Sequence, residues 1–230
     1  MQVVILCGGK GTRLSEYTED IPKPLVDIGG KPILHHLMEM YAHYNHKDFI
    51  LCLGYKGKKI EEYFKEKKGW NIEFVHTGED SNKAERLMKV KSRIKGDTFL
   101  LSYGDDLSDV DINEIIDFHK KNRKIVTLTA IPLISPFGII EVNSKKEVIN
   151  FREKPKLDKL MNGGFYVMDK RIFSYLKLNH DLEKETFEQL AKEKQIAAFR
   201  HEGFWKSMNT LKDVIELNEM FQKGNTPWIK

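Results

Sequence analysis

The chain has 230 residues, 40% of them hydrophobic and 31% charged, with 38 Lys and Arg against 34 Asp and Glu for a formal net charge of +4. That length suits one substantial α/β core, read here as a single domain over residues 1–230, and so mild a basic excess fits small polyanionic substrates rather than nucleic acid. No apolar run approaches the ~18 residues that span a bilayer, and the opening lacks an export pattern, so no membrane role is expected. Cys7 and Cys52 both lie in apolar runs, which predicts reduced, buried thiols and a cytoplasmic setting.

In chain order, Gln2-Val3-Val4-Ile5-Leu6 is a β-branched, apolar run and reads as a strand buried on both faces of a parallel sheet. The loop that leaves it, Cys7-Gly8-Gly9-Lys10-Gly11-Thr12-Arg13, is glycine-rich. Such a loop brings several backbone N–H groups around an anion, and phosphate is the natural guest. Lys10, Arg13 and Lys23 add cations, with Arg13 able to present a planar fork. The spacing is neither of the two commonest phosphate motifs, since Leu14 stands where the last glycine of G-x-G-x-x-G belongs and no G-x-x-x-x-G-K-[ST] occurs.

Helical spacing of Ile33, Leu37, Met38, Tyr41 and Tyr44 predicts a helix after Pro32, Phe49 to Leu53 a second buried strand, Lys58 to Lys68 a helix, and Trp70 to His76 a strand. A polar loop, residues 77–86, leads into a helix with Leu87, Val90 and Ile94 inward, and Thr98 to Ser102 is another buried strand. It ends in Tyr103-Gly104-Asp105-Asp106. Strands alternating with helices at this spacing argue a doubly wound α/β fold. Two acids at such a strand end call for a cation, and Mg²⁺ suits one or two carboxylates with substrate phosphates. Asp105 is assigned to it, whereas Asp106, Ser108 and Asp109 are read as starting the helix Asp111 to Arg123.

Further on, Ile125 to Ile131 reads as a strand, Pro132 to Phe137 as a loop, and residues 138–142 and 148–151 as a strand pair. Asn162-Gly163-Gly164 precedes a strand Phe165 to Met168, putting glycines where a polar ligand approaches backbone. With the basic run Lys154 to Lys159 it is a candidate for a second substrate. Helical patterns at Arg171 to Lys177 and Glu185 to Glu193, a strand Gln195 to Phe199 and a helix Leu211 to Lys223 capped by Asn209 or Thr210 complete the reading.

The order Gly8-Gly9-Lys10-Gly11-Thr12-Arg13-Leu14, then Pro22-Lys23-Pro24, resembles the signature of the sugar-1-phosphate nucleotidylyltransferases. Gly54-Tyr55-Lys56-Gly57, Tyr103-Gly104-Asp105, Glu153-Lys154-Pro155, Asn162-Gly163-Gly164-Phe165 and Gly203-Phe204-Trp205 sharpen the likeness toward the glucose-1-phosphate cytidylyltransferases over nearly the whole chain. The resemblance implies a Rossmann-like mixed, mostly parallel sheet flanked by helices, of the nucleotide-diphospho-sugar transferase type. It implies that Leu6, Cys7, Gly8, Gly9 and Lys10 hold the nucleotide, that Gly11, Thr12 and Arg13 embrace its phosphates, and that Lys23 meets the reacting phosphates. Ser81, Arg86 and Gly104 fall on the nucleotide side, and Glu153, Lys154, Asn162, Gly163 and Gly164 on the sugar-phosphate side. Arg13, Lys23 and Asp105 are the expected catalytic set.

The expected partners are a nucleoside triphosphate, CTP first, and a sugar-1-phosphate, with Mg²⁺ as cofactor and a homo-oligomer as the possible assembly. Three departures from the family pattern accompany the likeness. Asn209 stands where the family usually has an aspartate as its second metal ligand, Ala84-Glu85 replaces paired glycines in the base-side loop, and the segment before Trp70 is short. The alternatives are the same reaction with another base or sugar phosphate, or a weakly active or non-catalytic nucleotide-sugar-binding relative favoured by Asn209 and Glu85.

Overall fold

The computed structural model describes residues 1–14 and 19–229, except for the side chain of Arg13. Its centre is the expected apolar run: β1, Val3–Cys7, has every residue buried and is paired in parallel on both sides. On one flank lie β2, Asp48–Leu53, and β3, Asn71–His76. On the other lies β4, Thr98–Tyr103. Helices α1, Ile33–His43, α2, Gly57–Phe64, and α3, Lys83–Val90, make the crossovers between these strands.

Beyond β4 come a short strand β5, Asp106–Ser108, helix α4, Ile112–Asn122, strand β6, Val126–Ile134, an antiparallel arm of β7, Ile139–Val142, and β8, Val148–Arg152, and the long strand β9, Lys156–Asp169. Helix α5, Glu188–Lys192, strand β10, Ile196–Arg200, strand β11, Trp205–Ser207, and helix α6, Leu211–Gln222, follow. The main sheet runs in the order β10-β6-β9-β4-β1-β2-β3, and β9 alone pairs antiparallel with both of its neighbours. The mixed, mostly parallel sheet expected from the sequence is therefore the fold. Its two faces carry separate cores, one holding Ile5, Leu37, Tyr41 and Trp228 and the other Val4, Leu87, Phe99 and Leu190. Among the described residues no helix is long and apolar enough to cross a membrane.

Several sequence expectations shift, each for a physical reason. Asp106 does not begin the following helix. Asp111 caps it, accepting from Asn113 N at 2.8 Å and Glu114 N at 3.1 Å, while Asp106 lies buried in β5. Pro132 lies inside β6 and not in a loop. Pairing with β10 stops at Ala130, so a residue without an N–H is tolerated on the edge it leaves free. The strand expected at Phe165 begins nine residues earlier, at Lys156, and Gly163 and Gly164 mark a bulge within it, where the register passes from Asn162↔Ala130 to Tyr166↔Leu128. The pattern from Arg171 gives only a 3₁₀ turn, Lys170–Ser174, and the next helical stretch starts earlier than Glu185, at Leu182, behind a cap from Asp181.

Removing the α4 cap by Asp111→Ala should cost about 1 kcal/mol. In a chain of this length that is a fall in thermal midpoint of roughly 2–4 °C, checked by calorimetry.

Candidate active site

After β1 the chain winds outward through β2 and β3, then returns to lay β4 on the other side of β1, so the strand order reverses between β1 and β4. Ligands of open α/β sheets bind at the carboxyl edge of that crevice. Here the edge opens into a cleft of about 740 Å³. Gly8 to Thr12 line it from the end of β1, and Gly104 and Asp105 from the end of β4. Gly104 donates its N–H to Leu6 O at 3.2 Å, and a Cβ on it would stand 3.1 Å from Cys7 Sγ, so the two strand ends meet closely.

Arg86 holds the nucleotide side together. Only 4% exposed, its guanidinium donates to Leu53 O, Thr77 Oγ1, Gly78 O, Gly8 O and Glu79 O at 2.7–3.2 Å, tying the ends of β1 and β2 to the loop after β3. A Cβ on Gly8 would fall 2.0 Å from Arg86 Nη1 and one on Gly54 2.5 Å from it. Glycine is required at both positions because a fixed cation fills the space. Arg86 is thus a positioning residue under the glycine loop, and its charge rests on carbonyls and a hydroxyl rather than on a carboxylate. Ser81, also expected to meet the nucleotide, gives its hydroxyl to Thr77 O at 2.6 Å and receives Lys89 Nζ at 2.8 Å at the rim of the cleft. Lys10 is paired across the mouth with Asp80 at 2.9 Å.

Glu85 does not line the cleft. Its carboxylate receives the Asn82 N–H at 3.2 Å while Asn82 Oδ1 receives the Glu85 N–H at 2.9 Å, a capping box that starts α3, and Ala84 is wholly buried in the core. This carboxylate is thus occupied in starting α3.

At the centre of the cleft Lys23 Nζ donates to Asp105 and, at 3.0 Å, to Asn209 Oδ1. The Lys23 side chain is 11% exposed and that of Asp105 22%. Proline on both sides of Lys23 and a 3₁₀ turn, Lys23–Leu25, with Pro24 buried, fix the point from which this long side chain reaches. Asn209 does not cap α6. Thr210 does, through a capping box with Asp213, and the Asn209 amide donates to Ser207 Oγ at 2.9 Å. Asp106 borders the same cleft at 3% exposure, and burial together with the neighbouring Asp105 pushes its carboxyl well above the usual range.

The sugar-phosphate side is divided. Asn162 and Gly164, on the β9 bulge, line the cleft, and Gly163 O receives Trp205 Nε1 at 2.6 Å. Glu153 and Lys154 stand at the foot of the exposed arm after β8 and line neither the cleft nor the second hollow of about 570 Å³ that adjoins it across Trp205, Ser207 and Asn209. Thr12 lines the cleft, and the Arg13 side chain lies outside the described residues. Sequence reading missed Asp106, Tyr103, Lys83 and Glu183, all on the cleft wall. Tyr103 and Asp106 flank Gly104-Asp105 and were within reach of that motif, whereas only the folded chain brings Glu183 across to Lys83.

The comparisons agree with this geometry. A model of the nucleotidyl transferase family matches residues 2–224, and the chain belongs to that family. It is a nucleotidyltransferase. Over 258 aligned residues it is 42% identical to a glucose-1-phosphate cytidylyltransferase of Salmonella typhimurium, covering 99% of this chain and 98% of that one. A Bacillus subtilis protein named as a probable glucose-1-phosphate cytidylyltransferase is 40% identical over 252 residues, covering 99% of each. Among solved structures, a UDP-glucose pyrophosphorylase complexed with UDP-glucose superposes with a TM-score of 0.76 at 18% identity, over 97% of this chain and 98% of that one, which establishes the shared fold.

Gly54→Ala should cost about 1–3 kcal/mol by overpacking against Arg86. Gly9→Ala, with nothing within 4 Å of its added Cβ, should stay within roughly 0.5 kcal/mol of the parent. Chemical denaturation of the two variants checks the contrast.

Proposed function

We propose that this chain transfers a cytidylyl group from CTP to glucose 1-phosphate in a cytoplasmic setting, releasing pyrophosphate and forming the nucleoside-diphosphate sugar. The observation that carries this reading is the convergence of Asp105 and Asn209 Oδ1 on the Lys23 ammonium, between the glycine loop and the β9 bulge. The first cleft suits the triphosphate, and the hollow beyond Trp205 suits the sugar. The names of the full-length relatives supply the base and the sugar.

The reaction joins an oxygen of the sugar phosphate to the α-phosphorus and breaks its bond to the β-phosphate bridging oxygen. A phosphate monoester loses its second proton near pH ~6, so the nucleophile is already an anion at neutral pH and no general base is needed. What the protein must overcome is the repulsion of two polyanions. Loop amides and Lys23 accept charge that grows on the phosphate oxygens, and the rigid cleft holds the two reactants in line. The donor set fits Mg²⁺: a carboxylate of Asp105 and the amide oxygen of Asn209 are hard oxygen ligands, few enough to leave places for phosphates and water. Bound there, Mg²⁺ supplies further neutralisation of the triphosphate.

Pyrophosphate release should appear with CTP, glucose 1-phosphate and Mg²⁺ in a panel of nucleoside triphosphates and sugar phosphates. Turnover with a different pair would redirect the specificity, and turnover with none would overturn the reading. In the same assay Lys23→Ala should lower kcat/KM about 10²–10³-fold, the loss typical for a donor aimed at developing charge.

A further inference from the structure

The arm of β7 and β8 departs from the packing of the main sheet, which has a core on each face. Its antiparallel pairing sets Ile140 opposite Phe151 and Val142 opposite Val148, and residues directly opposite one another share a face. Glu141 and Asn150, also opposite one another, therefore lie on the other face. There Asn150 Nδ2 donates to Glu141 Oε1 at 3.2 Å, and Arg152 comes within 4.0 Å of the same carboxylate. One side of the arm is thus polar and bonded to itself, and the other is apolar. Among the described residues nothing covers the apolar side: Phe137, Ile140, Val142, Val148, Ile149 and Phe151 are 53–73% exposed. Ile149 is the extra residue of a bulge, where the register passes from Val148↔Val142 to Asn150↔Glu141. The Phe151 ring is set in place all the same, so close to Gly138 that a Cβ there would stand 2.6 Å from its Cζ.

We propose that this face is where two copies of the chain meet, the β7–β8 arm of one packing its apolar side on the same arm of the other. Area, charge and the arm's own stability select that occupant. At about 100 Å² for each side chain, the six present roughly 600 Å² of apolar surface, the upper end of what a monomer leaves bare. A stable interface buries about 800 Å² per partner, a little over half of it apolar. The arm therefore carries the apolar area that a dimer needs. Its charged residues, Glu141, Lys145, Lys146, Glu147 and Arg152, are of both signs. They make no single-signed field to draw a nucleic acid, an anionic membrane or a strongly charged protein. A second copy running in the opposite direction about a two-fold axis can match them with its own. A two-stranded hairpin alone is marginal in water, and packing it on its twin gives the arm the cover that the body of its own chain does not. None of this rests on the reaction assigned to the cleft.

Sedimentation velocity of the full chain, run without substrates over a roughly hundredfold range of concentration around the micromolar level, reads the association directly. The parent should sediment as a dimer or a multiple of one. Phe151→Lys and Ile140→Lys each put a charge into the apolar face, twice in a symmetric pair, and should weaken association about 10²-fold or more, leaving monomer at the lower concentrations. Asn150→Lys, on the polar face of the same strands, should leave it unchanged. A parent that is monomeric throughout would overturn the proposal. So would an assembly that both apolar-face variants leave intact, or one that Asn150→Lys dissociates as strongly as they do. All three residues are exposed, so far-ultraviolet circular dichroism of each variant should match the parent. A variant that fails to fold is replaced by Val142→Lys, which tests the same face from the other strand and is read the same way.

Discussion

The buried guanidinium of Arg86 is the constraint on which the nucleotide side of the cleft depends. Three segments far apart in sequence, the loop after β1, the end of β2 and the loop after β3, place backbone carbonyls around it. Those carbonyls could not be left bare in so enclosed a place, and no water-exposed arrangement would hold them in one geometry. The cation satisfies them together and so fixes the path of the loop from Gly8 onward, whose residues line the cleft. Desolvation lowers the pKa of Arg86 from its ordinary value, yet an arginine starts so high that it stays charged. A lysine in its place would lack the planar fork that serves several acceptors at once.

Lys23 plays the complementary part at the other wall. Its ammonium draws Asp105, from the end of β4, and Asn209, from the turn before α6, to one point. Two loops meet there that are 104 residues apart, and the pair is shielded enough, at 11% and 22% side-chain exposure, to outlast screening better than a surface ion pair. The arrangement also explains why an amide is serviceable at 209. It accepts from a cation on one side and donates to a hydroxyl on the other, which a carboxylate cannot do.

What was legible in the sequence follows from what is local. The glycine loop, Lys23 between prolines and the acid after β4 each sit within a few residues of the strand or turn that aims them, so the composition of that stretch was enough. Asp106 was misread because an acid ahead of a helix resembles a cap, and only the fold shows that Asp111 already does that work while β5 pairs Asp106 with Ser207. Glu85, placed by the sequence in the base-side loop, is a different case. A carboxylate in a ligand loop suggests contact with the ligand, but three residues after Asn82 it closes a capping box instead. Lys154 shows a different limit, since a motif fixes residue type and order while the placement of the β7–β8 arm that carries it is set by tertiary contacts.

The two walls are joined by a hydrogen-bond chain whose direction can be worked out atom by atom. Glu183 can only accept, so Tyr103 gives it a proton. Tyr166 must then donate to Tyr103 O at 2.9 Å, and Asn162 Nδ2 to Tyr166 O at 2.6 Å. Asn162 Oδ1 is left to receive the Gly164 N–H at 3.2 Å, which settles the amide on the β9 bulge. At the other end Lys83, on the first turn of α3, pairs with the same Glu183 and lies 5.1 Å above the Tyr103 ring. Burial pushes both phenols above their ordinary pKa, so the protons that give the chain its direction stay in place at neutral pH. The helix that begins on the nucleotide side and the bulge on the sugar-phosphate side are thereby held in one register, with the side chains between them unable to rotate independently.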